Sequence, residues 1–304
     1  MADGRRIILG VELVKRTFGE KLFDGLNVTI LLLLSACILI PLLHVLAGSL
    51  SSSYALTHSM VKIWPVELNF KNYEMVLQNP LFWNSLKITV IVVLIGTTIN
   101  LALTSVSAYP LSKPDLRGRK IIMLFILFTM IFNAPIIPTY LVVKSLGMMN
   151  TIWSLIIPTG ISAFNLILCI TFFRNLPSEL FDSAKVDGLS EYGMVWRIAV
   201  PLSMPIMVTL LLFYAVGHWN NYYMPLLYVT DMDLRTLQLY LYSLIAQNNT
   251  NDAMAGSGGM DLVNISPQGL QMATVVTATI PIAIVYPFLQ RHFIKGALLG
   301  SVKG

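Results

Sequence analysis

A chain of 304 residues that is 56% hydrophobic and only 12% charged, with a mean hydropathy of +0.72, lies outside the range of soluble domains, which carry about 25% charged residues. That composition excludes a soluble enzyme domain and points to an integral membrane protein. The net charge of +5 is no sign of a nucleic-acid partner, because no clustered basic face with interleaved aromatics sits on a soluble domain.

Lipid offers the backbone no hydrogen-bond partners, so apolar runs of about 20 residues cross as helices, whereas a barrel shows shorter segments of period-two alternation. Residues 1–24 form a cytoplasmic lead-in. Within it Arg5 to Phe23 alternates basic with apolar residues, which suits a helix on the inner leaflet and equally suits disorder. The first apolar run, Leu26 to Ala47, exceeds the about 7–15 residues of a signal-peptide core and is expected to remain in the mature chain. Then come Leu86 to Leu111, Ile121 to Val143 and Ile152 to Phe173, a polar loop from Leu176 to Pro205, and a fifth run from Pro205 to Tyr228. The stretch Asp231 to Gln268, rich in Asn, Gly, Ser and Met, reads as an extracellular loop, flexible or receptor-facing. A sixth run, Leu270 to Leu289, precedes a basic, small-residue tail, Arg291 to Gly304. Residues 25–304 therefore read as one transmembrane domain of six spans.

Orientation follows from the cations. Of the 20 Lys and Arg residues, fifteen fall in the lead-in, the second-to-third connection, the polar loop and the tail. Only Lys62, Lys71, Lys87, Lys144 and Arg235 fall at the other side. By the positive-inside rule both termini and the polar loop are cytoplasmic. Cys37 and Cys169 sit within spans and match no disulfide or metal spacing, and His44, His58, His218 and His292 lack the i, i+4 pairing of a zinc helix. No metal site is expected.

The polar loop is the anomaly, because it gathers Glu179, Asp182, Lys185, Asp187, Glu191 and Arg197 between two greasy spans. Pro177 and Ser178 suit a helix start, and Glu179 and Asp182 then lie in its first turns, where carboxylates favour the positive dipole end. Gly188 after Asp187 is a left-handed stop, Ser190 caps a second helix, and Pro201 and Pro205 mark re-entry. On the first helix Glu179, Ser183 and Val186 share one stripe, and Leu180, Ala184 and Asp187 the next. A generic amphipathic surface helix is the plainer reading.

The order Asp182, Ser183, Ala184, Asp187, Gly188, with Pro201 and Pro205 beyond, resembles the EAA loop of binding-protein-dependent ABC importer permeases. Asp182 stands where that family usually has Glu, and Ser183 where it usually has Ala. Leu68 to Val90 and Ala108-Tyr109-Pro110-Leu111-Ser112 are similar to the carbohydrate branch. Gly217 to Val229 and Tyr286 to Gly304 are similar to its polysaccharide and complex-oligosaccharide subgroup. The resemblance implies an all-α integral membrane protein with the type I importer fold in the bacterial cytoplasmic membrane, whose loop docks as a coupling helix on a cytoplasmic ATPase. It further implies a second homologous permease subunit, an ABC ATPase dimer carrying ATP and Mg2+, and an extracytoplasmic solute-binding protein. The coupling residues it implies are Glu179, Leu180, Phe181, Asp182, Ser183, Ala184, Asp187 and Gly188. Leu180 and Phe181 are expected as apolar anchors in the ATPase cleft, with Glu179, Asp182 and Asp187 as its polar rim.

The residues themselves support a passive partner in that cycle. No G-x-x-x-x-G-K-[ST] phosphate cradle occurs, and the glycine-rich piece Ala255 to Met260 lacks its Lys-Ser/Thr ending, so the chain is expected to carry no cofactor and no catalytic residue. An ion-coupled secondary sugar carrier is the competing class. It usually places charge at mid-membrane, and none of the six spans does so. The intramembrane polar groups are Asn100, Asn133, Asn165, His218, Asn220 and Asn221, joined by the aromatics Tyr214, Trp219, Tyr222 and Tyr223, and the substrate-path candidates taken from them are Asn133, Tyr214, His218, Trp219, Asn220, Asn221, Tyr222 and Tyr223. Amides suit sugar hydroxyls and rings suit the apolar sugar face. Interhelical glue and an interfacial aromatic belt are the structural alternatives.

Overall fold

The computed structural model describes residues 17–132, 134–254 and 266–301, with side chains omitted at 247–254 and from 288 onward. Asn133, the basic residues 5–16 and the piece Ala255 to Met260 lie outside the described residues. The first helix, α1 (Phe18–Ser49), begins before the expected Leu26 because Thr17 and Glu20 form a capping box: the Thr17 N–H donates to Glu20 Oε2 at 2.8 Å. A short α2 (Ser53–Thr57) and α3 (Lys71–Gln78) lead into α4 (Pro80–Ser112), which Asn79 caps through Leu81 N.

The third and fourth expected spans are each broken. Arg119–Ile131 (α5) and Ile136–Ser145 (α6) are separated before Pro135, whose ring fixes φ and whose nitrogen cannot continue the helical ladder. Trp153–Ile156 (α7) runs on through a 3₁₀ turn at Ile157–Thr159, and Ala163–Arg174 (α8) starts at a bend of 54°, where Pro158, Gly160 and the capping Ser162 interrupt the run. Among the described residues three helices are long and apolar enough to span a membrane alone, and counting each bent pair as one gives up to six spans.

The polar loop folds as Ser178–Val186 (α9) and Glu191–Met194 (α10), the latter passing through a π turn at Val195–Ala199 to Val200–Leu202 (α11). At Ser203 the chain turns by 91° into Met204–Asn220 (α12). The expected fifth span therefore ends at Asn220 rather than Tyr228. Asn221 is extended, its Oδ1 accepts from Met224 N at 3.1 Å, and a separate short α13 (Tyr223–Tyr228) follows.

The supposed flexible loop after it also needs correction, because it contains α14 (Leu237–Met254). Leu237 and Tyr240 are buried with Val76, Phe82 and Ala273, and Leu237 N donates to Thr89 Oγ1 at 2.7 Å. The last helix, α15 (Pro267–Ser301), continues past the expected Leu289.

Helix α4 is the axis of the bundle. Its first half packs on α3 and α14, and its second half on α8 and α12. The largest core joins Ala108, Tyr109 and Leu111 of α4 to Cys169, Ile170 and Phe173 of α8, Met194 beyond α9, and Leu210 and Tyr214 of α12. Helix α1 contacts mainly α15 and is otherwise uncovered, as an apolar helix facing lipid or another subunit must be.

Candidate functional site: a surface grip and a polar groove

Helix α9 is the grip. It ends in two crossed backbone bonds, Gly188 N to Lys185 O at 3.0 Å and Leu189 N to Ala184 O at 2.9 Å, with Gly188 at φ +77°. This is the Schellman ending, which needs the left-handed backbone that glycine adopts without penalty. Ser190 then caps α10, its Oγ accepting from Gly193 N at 3.2 Å. Helix, glycine turn and capped helix all follow the sequence expectation.

The division of labour along α9 differs from expectation at two residues, Phe181 and Ala184. Ala184 is buried, and Phe181 packs into the main core with its ring 5.7 Å from that of Tyr109. Phe181 therefore anchors α9 to its own bundle and is not presented outward. Leu180 is exposed, as are Glu179, Asp182, Ser183 and Asp187, and Val186 is 89% exposed. Sequence spacing placed Val186 on one stripe with Glu179 and Ser183 without assigning that stripe an outward face.

A charged strut braces the grip. Lys113, just past the end of α4, donates to Glu191 Oε2 at 2.6 Å and lies 4.2 Å above the Tyr109 ring, and Lys185 approaches Glu191 at 3.9 Å. The hydrogen bond from Lys113 holds the Glu191 carboxyl below the usual carboxylate range. A depressed pKa stabilises the fold above the ordinary glutamate value and loses that contribution as pH falls through the folded-state value. Both side chains are substantially solvated, so the pair is worth at most about 1 kcal/mol. Glu191→Gln is accordingly expected to change the melting temperature in detergent by only a few degrees at neutral pH, with the difference from the native chain closing as the pH is lowered below 4.

The second feature is a groove of about 850 Å³ bounded by α4, α8, α12 and α15. Its polar lining is Asn100, Thr159, Ser162, Asn165, Tyr214, His218, Asn220 and Asn221; Phe164, Phe213 and Tyr286 supply aromatic wall. Of the expected path residues, Tyr214, His218, Asn220 and Asn221 are brought together here. Trp219 is not, because it packs on the opposite side against the Val76, Phe82 and Tyr240 cluster. Tyr222 and Tyr223 also fall outside the groove; Tyr222 stacks on Tyr242 at 5.3 Å.

Two rungs one helical turn apart tie three elements together beside the groove. Tyr214 OH shares a hydrogen bond with Thr104 Oγ1 at 2.7 Å and accepts from Ser162 N at 3.2 Å. One turn on, the Asn100 amide donates to Thr159 O at 3.1 Å and faces His218 Nε2 at 3.3 Å. The carbonyl of Thr159 requires a donor, so the amide nitrogen points that way and His218 Nε2 is the acceptor. The break in the fourth span frees backbone groups that hydrocarbon cannot satisfy, and both rungs end on it. Asn100 and Asn165, both on the groove, are among the intramembrane amides that the sequence offered; Thr159 and Ser162 were not among the expected path residues. Their signal in sequence was the Pro158, Gly160, Ser162 interruption inside an apolar run.

The comparisons with known proteins fit this architecture. Residues 7–298 match the family described as "Binding-protein-dependent transport system inner membrane component". The chain is 40% identical to Protein LplC of Bacillus subtilis (strain 168) over 97% of its length and 99% of the relative's. It is also 40% identical to the Polygalacturonan/rhamnogalacturonan transport system permease protein YtcP of the same organism, over 94% and 99% of the two chains. A solved bacterial ABC transporter involved in the import of the acidic polysaccharide alginate superposes with a TM-score of 0.83 at 31% identity, covering 91% of this chain and 99% of that one. The chain thus belongs to the family of inner membrane components of binding-protein-dependent transport systems, and has the type I ABC importer permease fold.

Proposed function

We propose that this chain is one of two permease subunits of an ABC importer that carries oligosaccharides or polysaccharide fragments across the bacterial cytoplasmic membrane by alternating access. The observation that carries the reading is mechanical. An exposed, rigidly capped helix, α9, rests through Phe181 on Tyr109 of α4, and Lys113 at the end of α4 pairs with Glu191 of the following α10; α4 is the same helix that carries Asn100 into the groove. A push on α9 therefore reaches the groove wall through the Phe181–Tyr109 contact and, by way of the turn into α10, through Lys113. The ATPase that supplies the push is a separate cytoplasmic dimer holding ATP and Mg2+; a solute-binding protein delivers the saccharide from outside, and a related permease completes the pore. Both termini and α9 lie on the cytoplasmic side. The saccharide class rests on the relatives named for polygalacturonan, rhamnogalacturonan and alginate, and on a groove wall of amides, hydroxyls and rings suited to hydroxylated rings.

In this reading Leu180, Val186, Glu179, Asp182 and Asp187 meet the ATPase, and Phe181 and Ala184 hold α9 in place. In proteoliposomes containing the complete importer, binding-protein- and saccharide-stimulated ATP hydrolysis is the measurement. Stimulation that vanishes without the binding protein, and uptake that follows ATP rather than an ion gradient, are expected; uptake driven by a proton or sodium gradient alone would overturn the proposal. Val186→Asp is expected to lower ATPase association at least tenfold without changing the melting temperature of the permease, since its side chain is almost wholly in water. Phe181→Ala is expected to do the reverse, costing about 3 kcal/mol of stability.

A further inference from the structure

The break in the fourth span has a consequence for ligand chemistry. Helix α8 begins at Ala163 and ends at Arg174. Twelve residues rise about 18 Å, against about 15 Å for half the hydrocarbon core. With Arg174 at the membrane face, the N-terminus of α8 therefore lies near mid-membrane, and Ser162, Phe164 and Asn165 of that terminus line the groove. An N-terminus carries roughly half a positive elementary charge together with N–H groups that the helix itself leaves unbonded.

Here two of those groups are spoken for, since Asn165 N donates to Ser162 Oγ at 3.4 Å and Leu166 N to Ser162 O at 2.9 Å. The N–H groups of Ala163 and Phe164 remain. Beside them stands the side chain of Asn165. It is only 5% exposed and lines the groove, and its amide makes no hydrogen bond among the described residues. The amide lines the groove, so its donors are available to a ligand acceptor that enters there.

Among the described residues no Lys, Arg, Asp or Glu lines this groove. Any anion entering it therefore meets a positive helix end and amide donors, with no formal counter-charge to hold it in place. Such a site tolerates passage, because transport requires that a ligand leave as readily as it arrives. Asn100 Oδ1, on the same groove wall, is buried and has no hydrogen-bond partner among the described residues.

Resting on the saccharide reading above, we propose that the N-terminus of α8 and the Asn165 amide form a carboxylate subsite, so that the imported saccharide is an acidic one, containing uronic acid units. The subsite recognises the carboxylate by hydrogen bonding and helix dipole in place of an ion pair.

The test uses the complete importer in proteoliposomes, with oligogalacturonate and its methyl ester as the paired probes. Asn165→Asp places a fixed negative charge at the third position of α8, where an acidic residue favours the helix. Uptake of the free acid is expected to fall at least tenfold while uptake of the ester stays within about twofold of the native importer. Asn165→Leu, which removes the donor without adding charge, is expected to raise the KM for the acid more than for the ester. Equal losses for both probes in Asn165→Asp, or no loss for either, would overturn the carboxylate subsite. So would ester uptake by the native importer that exceeds acid uptake. If the native importer takes up neither probe and no other saccharide stimulates its ATP hydrolysis, the saccharide reading itself fails and takes the subsite with it.

Discussion

Replacement of Gly188 by proline is expected to abolish saccharide-stimulated ATP hydrolysis in the reconstituted importer while the permease still inserts and folds. Gly188 sits at φ +77°, and proline holds φ near −65°, so the backbone cannot keep its course. Proline also removes the N–H that donates to Lys185 O at 3.0 Å, dismantling half of the Schellman ending. The helix end then frays, and Leu189 and the capped α10 no longer fix the angle between α9 and the bundle. No atom outside the turn lies within 4 Å of a side chain built at Gly188, so the core is untouched and the damage stays in the grip. Gly188→Asn separates conformation from identity, because asparagine enters the left-handed region at modest cost. It is expected to retain most of the stimulated turnover. Normal stimulation in Gly188→Pro would show that the turn plays no part in coupling.

That turn was also the most legible part of the chain. Pro177, Gly188 and Ser190 each act through local backbone chemistry, so their roles could be read without tertiary information, and helix, stop and cap came out as expected. What could not be read was which way Phe181 faces. A ring on a half-polar helix suits a partner's cleft as well as its own core, and only the position of Tyr109 decides between them. The same limit applied to the path residues. Trp219 and His218 are adjacent in sequence, yet one lies in the α3–α14 cluster and the other on the groove, because successive helical residues point about 100° apart. Hydropathy located the spans and missed their breaks. A Pro or Gly inside an apolar run is tolerated when a neighbouring helix supplies the lost hydrogen bonds, and the donor that does so for Thr159, the Asn100 amide, is 59 positions away. Helix α14 was missed for a different reason: its apolar half, Leu237–Ala246, is too short to register as a span, and its remainder has the composition of a loop.

The contact between α4 and α12 sets the second large effect. A methyl group built on Gly96 would stand 2.6 Å from His218 Nε2 and 2.9 Å from Cε1, closer than any packed carbon and nitrogen sit. The imidazole faces Asn100 and cannot swing away without losing that hydrogen bond. Gly96→Leu is therefore expected to destabilise the permease by about 1–3 kcal/mol, the usual range for overpacking, read as a lower melting temperature in detergent. His218→Ala alone removes the Asn100–His218 bond, leaving Asn100 on Thr159, and is expected to destabilise modestly as well. The double variant decides the cause. If the clash is real, trimming His218 makes room for the leucine, and the combined loss is smaller than the sum of the two single losses by more than about 0.5 kcal/mol, the margin beyond which neighbouring sites count as coupled. Simple additivity would mean that Gly96 serves α4 in some way other than its close approach to α12. Non-additivity would establish that the absence of a side chain at this position is what lets Asn100 and His218 meet.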